Sequence, residues 1–181
     1  MSNRSIPRSK ANDIVSTAQL QPSLLDRLTD DEPQKTAETR EQRVLTKARM
    51  RECVLRDLGW LLNTSNHDMD NELRNYPEVA RSVVNFGMRP LSGLRLSEIE
   101  WASLEQHIQR ALLDFEPRIL PETLEVKALV PEDLLHHHNK IAFEIHCQIW
   151  AKPYPLDMLL RTNLDLESGE MRLQDLSMEQ S

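Results

Sequence analysis

The spacing of hydrophobic positions changes along this 181-residue chain, and the changes divide it. Residues 1–43 show no sustained period and are rich in Ser, Thr, Pro and charged residues. Such a segment buries too little apolar surface to offset the entropy of ordering, so a disordered polar arm is expected. One island interrupts it, Pro22-Ser23-Leu24-Leu25-Asp26-Arg27-Leu28. Leu24, Leu25 and Leu28 stand at helical spacing, and Ser23 is placed to cap the turn. An apolar island in a polar arm either docks on a partner or straps across the chain's own core. From Val44 to Leu62 the period is helical, with Met50, Val54, Leu58 and Leu61 on one face. The Asn63–Asn66 run ends that helix, because its side chains compete for backbone hydrogen bonds. Residues 65–76 read as loop, and Pro77 opens a short helix with Val79 and Val83 on its apolar face.

A second long helix is expected from a capping box, Ser97-Glu98-Ile99-Glu100, with Leu96 and Trp101 placed as a hydrophobic staple. Trp101, Leu104, Ile108, Leu112 and Phe115 continue its stripe, and Pro117 stops it. Beyond Pro121 the period becomes two. Segments 123–130, 141–150 and 158–166 alternate apolar and mostly polar residues, and Ser168-Gly169 turns into a last short strand at Met171-Arg172-Leu173. One apolar face per strand suits an antiparallel sheet covered on one side. The expected fold is α+β: N-terminal helices packed on one face of a small antiparallel β-meander. The expected organisation is an arm over 1–43, a domain over 44–176 and a tail over 177–181.

Charge narrows the function. Asp and Glu number 29 against 22 Lys and Arg, a net charge of −7, which disfavours a nucleic-acid partner. No stretch approaches the ~20 apolar residues of a membrane span, so no direct membrane insertion is expected. The polar start, Met1–Lys10, lacks the apolar core of a signal peptide. Two distant cysteines, Cys53 and Cys147, make neither a disulfide framework nor a zinc site, and a reducing cytoplasmic setting fits them.

Candidate chemistry is sparse. His136-His137-His138 reads as a solvated loop, because adjacent side chains diverge and a metal site needs further ligands and supporting contacts; His146, on the polar face of its strand, is the further ligand that could join. Only four glycines are present, with no phosphate-cradling loop and no Gly-x-Ser-x-Gly elbow. No cofactor, metal or catalytic residue is nominated. Glu116-Pro117-Arg118 is more informative: a rigid corner from which a carboxylate and a guanidinium diverge. They either meet a partner or form an internal salt bridge locking helix to sheet. Strand 158–166 reads as a long edge with few charged guards, open to strand addition at Leu160, Thr162 and Leu164 unless the 167–181 tail covers it.

Five segments in order resemble one family. Pro22–Asp30 looks like the N-terminal signature of TssE, the baseplate subunit of bacterial type VI secretion systems. Arg51–Thr64 resembles its first core helix. Ser82-Val83-Val84-Asn85-Phe86-Gly87 resembles its Ser-Val-x-Asn-aromatic-Gly turn, and Leu91-Ser92-Gly93 the segment after it. Phe115-Glu116-Pro117-Arg118-Ile119 matches the Glu-Pro-Arg motif shared with gene-25-like wedge proteins of contractile-tail phages. Where the family has Pro-Asp after the glycine turn, this chain has Met88-Arg89-Pro90-Leu91.

The resemblance implies a non-enzymatic assembly subunit in the cytoplasmic baseplate docked at the inner-membrane complex. The implied partners are the wedge subunits TssF, TssG and TssK and the sheath subunits TssB and TssC, with sheath strands added to the sheet edge. It implies partner-binding roles for Leu24, Leu25, Leu28, Asn85, Gly87, Glu116, Pro117 and Arg118. The alternative is a lysozyme-like peptidoglycan hydrolase, a label phage relatives have carried. It lacks a nominated carboxylate pair.

Overall fold

A computed structural model describes residues 23–29, 34, 46–68, 72–91, 100–129 and 140–177. The rest of the polar arm, Leu96–Ile99 of the expected cap, the His136–His138 run and the tail beyond Ser177 lie outside the described residues.

The Leu24–Leu28 island is helical (α1), and the Ser23 hydroxyl accepts the Asp26 amide, as its spacing predicts. Helix α2 spans Lys47–Asn63, and the Thr46 hydroxyl caps it by accepting the Arg49 amide at 3.1 Å. Its buried face is Met50, Cys53, Val54, Leu58, Leu61 and Leu62. At its end the Thr64 hydroxyl donates to the Trp60 carbonyl and the Asn63 side-chain Nδ2 to the Gly59 carbonyl. A short helix, α3, covers Pro77–Ala80, with Pro77 in the first turn.

Helix α4 spans Trp101–Phe115 and buries Leu104, Ile108, Ala111 and Leu112. It begins later than the capping box predicts. Glu100 has extended backbone (φ −83°, ψ 102°) and is itself the N-cap residue. It therefore cannot stand inside the first turn and reach back to a Ser97 cap. Trp101 instead packs against the core and starts the helix.

The four strands β1 (Glu125–Leu129), β2 (Lys140–Ile149), β3 (Leu156–Asp165) and β4 (Met171–Asp175) form an antiparallel meander in chain order. Ile141, Phe143, Ile145, Cys147 and Ile149 of β2, with Met158, Leu160, Thr162 and Leu164 of β3, point into one fully buried face. Helices α2 and α4 cover that face, α2 against β4 and α4 against β1. The molecule is thus α+β, one helical layer on one meander.

One expectation is corrected. Strand β3 is not an edge: β2 pairs with its whole length and β4 with Leu160–Leu164. The cause is the turn after β3. The Asp165 carboxylate accepts the Glu167 and Ser168 amides, and Gly169 takes φ +76°, so the chain returns alongside as β4. Leu160, Thr162 and Leu164 therefore spend their side chains in the core and their main chain on two neighbours. They offer no acceptor surface. Among the described residues the edges are β1 and β4.

Candidate functional site

Helix α4 ends at Phe115, and Pro117 and Arg118 turn the chain toward the sheet. The corner is stitched to the end of β2. The Leu120 amide donates to the Gln148 carbonyl at 2.8 Å, and the Trp150 amide to the Arg118 carbonyl at 2.7 Å. With the backbone so fixed, the Arg118 side chain folds back on Glu116. Its Nε and Nη2 donate to the two Glu116 oxygens at 2.7 and 2.6 Å. The Arg118 amide adds a third bond at 3.0 Å. Glu116 is only 4% exposed. This is the internal lock between helix and sheet, not a carboxylate presented outward.

The lock continues into the other helices. Arg118 Nη2 also donates to Asp57 Oδ2 at 2.6 Å. Asp57 Oδ1 accepts Arg56 Nε and Nη2 at 2.9 and 2.7 Å, and Arg56 Nη1 donates to Asp26 Oδ1 at 2.6 Å. The Ser23 hydroxyl donates to the other Asp26 oxygen at 2.6 Å. Three carboxylates and two guanidiniums thus tie α1, α2 and the corner together. Burial works against ionising Asp26, but hydrogen bonds from Arg56, Ser23 and Cys53 outweigh it and bring its pKa down to about 2. Burial likewise opposes the charge on Arg118, and Glu116 followed by Asp57 holds it above the ordinary arginine range.

Above this cluster lies an apolar groove of about 520 Å³. Met50, Trp60, Leu61, Phe86, Phe115 and Pro117 line it, with Asp57, Glu116 and Arg118. Phe86 and Phe115 meet edge to face at 5.4 Å. Trp60 is 52% exposed, with the Arg56 guanidinium 5.1 Å from its ring centre. Beside it, α1 is held down by Asp26 and turns Leu24, Leu25 and Leu28 to solvent, at 69, 45 and 74% exposure. The island is therefore neither free nor a strap across the core. It is fastened by its polar side and exposes its leucines.

Asn85 and Gly87 sit elsewhere and face inward. The buried Asn85 side chain accepts the His67 and Asp68 amides and donates to the Ala80 carbonyl. Gly87 has φ +122°, and a Cβ there would lie 2.3 Å from the Thr64 carbonyl oxygen. That close approach lets the Met88 amide bond Thr64 and the Asn66 amide bond Met88. These residues hold two loops together.

Both sheet edges are partly occupied. The Asn63 side chain accepts the Met171 amide and donates to the Met171 carbonyl, both at 2.8 Å, as a paired strand would. By the alternation of an antiparallel ladder, Leu173 is the next β4 residue to face outward. On β1, the Glu105 carboxylate accepts the Ala128 amide at 2.7 Å.

Arg56, Asp57 and Trp60 are the site residues that sequence reasoning missed. Arg56 meets Asp57 and Trp60 within its own helix, but the links that make them a site, to Asp26 30 residues before Arg56 and to Arg118 61 residues after Asp57, leave no local pattern. Among the described residues there is no group of three potential metal ligands and no helix long and apolar enough to cross a membrane.

The described residues thus combine a helical layer on a meander, an ionic lock satisfied within the chain, and exposed leucines on a helix whose Ser23 lines an apolar groove. The chain belongs to the baseplate wedge protein gp25 family, whose sequence profile matches residues 48–154. It is accordingly a structural protein of a contractile-machine baseplate. No curated protein and no solved structure matches the chain.

Proposed function

We propose that this chain is a non-enzymatic subunit of the type VI secretion baseplate wedge that connects the baseplate to the contractile sheath and helps start sheath assembly. The five TssE-like segments in order favour the secretion system over a phage tail. The observation that carries the docking role is the apolar groove lined by Trp60 and Ser23, together with the exposed Leu24, Leu25 and Leu28 of the helix that Ser23 caps. Exposed apolar clusters of this kind mark protein interfaces. The wedge partners TssF, TssG and TssK would bury this surface, and the Glu116–Arg118 lock would shape it from beneath. The partners TssB and TssC would add strands at the outer side of β4, where Leu173 follows the Asn63 clamp. The setting is the cytoplasmic side of the inner-membrane complex.

The hydrolase alternative needs two carboxyl groups free to face a sugar. The two carboxylates at the groove, Glu116 and Asp57, are both bound to Arg118.

Co-expression with TssF and TssG, followed by size-exclusion chromatography, tests the proposal. Wild type is expected to co-elute, and the double variant Leu24→Glu/Leu28→Glu to elute alone with an unchanged melting temperature. Co-elution of that variant at wild-type yield would refute the docking surface. A wild type that elutes alone would refute the wedge partnership.

A further inference from the structure

A second groove, of about 580 Å³, lies between residues 66–68 and 73–89 on one side and the outer side of α4 on the other. Its charge is opposite to that of the chain as a whole. Among the described residues, Arg74, Arg81, Arg89 and Arg110 line it against two carboxylates, Asp68 and Asp114, although the chain carries net −7. Both carboxylates have internal work. Asp114 accepts Arg81 Nε at 3.0 Å, and Asp68 accepts the Leu73 amide at 3.0 Å. The terminal nitrogens of Arg81 make no bond among the described residues, and neither do the exposed guanidiniums of Arg74 and Arg110. The groove thus presents three guanidinium forks suited to carboxylates. Glu72 and Glu78 are exposed on the same stretch of chain but do not line it. The apolar residues of that stretch that do line it are Leu73, Pro77 and Ala80.

We infer that this groove binds an acidic segment of a partner protein whose carboxylates meet Arg74, Arg81 and Arg110 and whose apolar residues cover Leu73 and Pro77. Charge complementarity selects the occupant, and the apolar part of the lining favours an amphipathic peptide over a purely acidic one. The site shares only Phe115 with the groove at the Glu-Pro-Arg corner and none of its guanidiniums lines that groove, so it does not depend on the partners proposed for that corner.

The probe is a fluorescent twelve-residue peptide of alternating Glu and Leu, read by anisotropy with the full chain. Controls are a Lys/Leu peptide of the same length and vesicles containing one quarter phosphatidylglycerol. The Glu/Leu peptide is expected to bind, to weaken as salt rises, and to shift the amides of residues 74–85 and 107–114 in NMR spectra. The variant Arg74→Glu/Arg110→Glu is expected to bind it at least ~10-fold more weakly and to melt with the wild type, because neither side chain has a partner among the described residues. No binding of the Glu/Leu peptide would overturn the inference. So would equal binding by the Lys/Leu peptide, equal affinity in the variant, or binding to vesicles in place of peptide.

Discussion

Replacing Arg118 with alanine removes two of the three hydrogen bonds to Glu116 and leaves only the backbone amide of residue 118. The Glu116 carboxylate, 4% exposed, then stays buried without its counter-charge. Breaking one side of a buried ion pair costs about 3–5 kcal/mol. Arg118 and Asp57 side chains are 24 and 25% exposed, so water screens part of the effect and the lower end applies, about 3 kcal/mol. For a domain of this size that is a fall in melting temperature of roughly 6–12 °C. The assay is thermal unfolding by circular dichroism on Arg118→Ala, Glu116→Gln and the double variant. Removing both charges is expected to cost less than the sum of the single changes, because the orphaned carboxylate is gone. A fall below about 2 °C for Arg118→Ala would refute the internal lock and return Arg118 to a purely external role.

Three further outcomes follow from the same structure. Gly87→Ala forces a Cβ to 2.3 Å from the Thr64 carbonyl oxygen at φ +122° and is expected to cost about 2–4 kcal/mol, read as a lower urea midpoint. Asp26 has its pKa lowered to about 2 from an ordinary 3.8, so its contribution of about 1–2 kcal/mol to seating α1 is complete above pH ~4 and fades as pH falls toward 2. NMR signals of residues 23–29 should report that loss, and Asp26→Asn should abolish the pH step. Burial pushes the Cys147 thiol up to about 12, and Cys53 is raised by burial and by Asp26. Both thiols should therefore resist Ellman's reagent at pH 8 until urea unfolds the chain.

What was legible in the chain was what repeats locally. Ile141, Phe143, Ile145, Cys147 and Ile149 announce the buried face of β2 by alternation alone. Alternation assigns faces but not neighbours, which is why β3 passed for an edge. The turn at Ser168-Gly169 and the short strand after it were legible, but not that this strand pairs with Leu160–Leu164 and closes the edge. The capping box misplaced the start of α4 because the motif is local, whereas the position of Trp101 is set by the core. At the site, Glu116 and Arg118 were visible as a motif, and both an internal lock and an outward contact fitted them. Choosing between these required Asp57, 61 residues upstream of Arg118. Asn85 and Gly87 stood out by family resemblance. Their inward hydrogen bonds and close approach to Thr64 arise only when residues 64–68 fold against them.

The most direct measurement of the baseplate role is sheath assembly in cells that lack this chain and carry a fluorescent TssB. Resupplying the wild-type chain is expected to restore extended, contracting sheaths, and resupplying Leu24→Glu/Leu28→Glu at equal abundance is not. Normal sheaths in cells without the chain, or full rescue by that variant, would contradict the account.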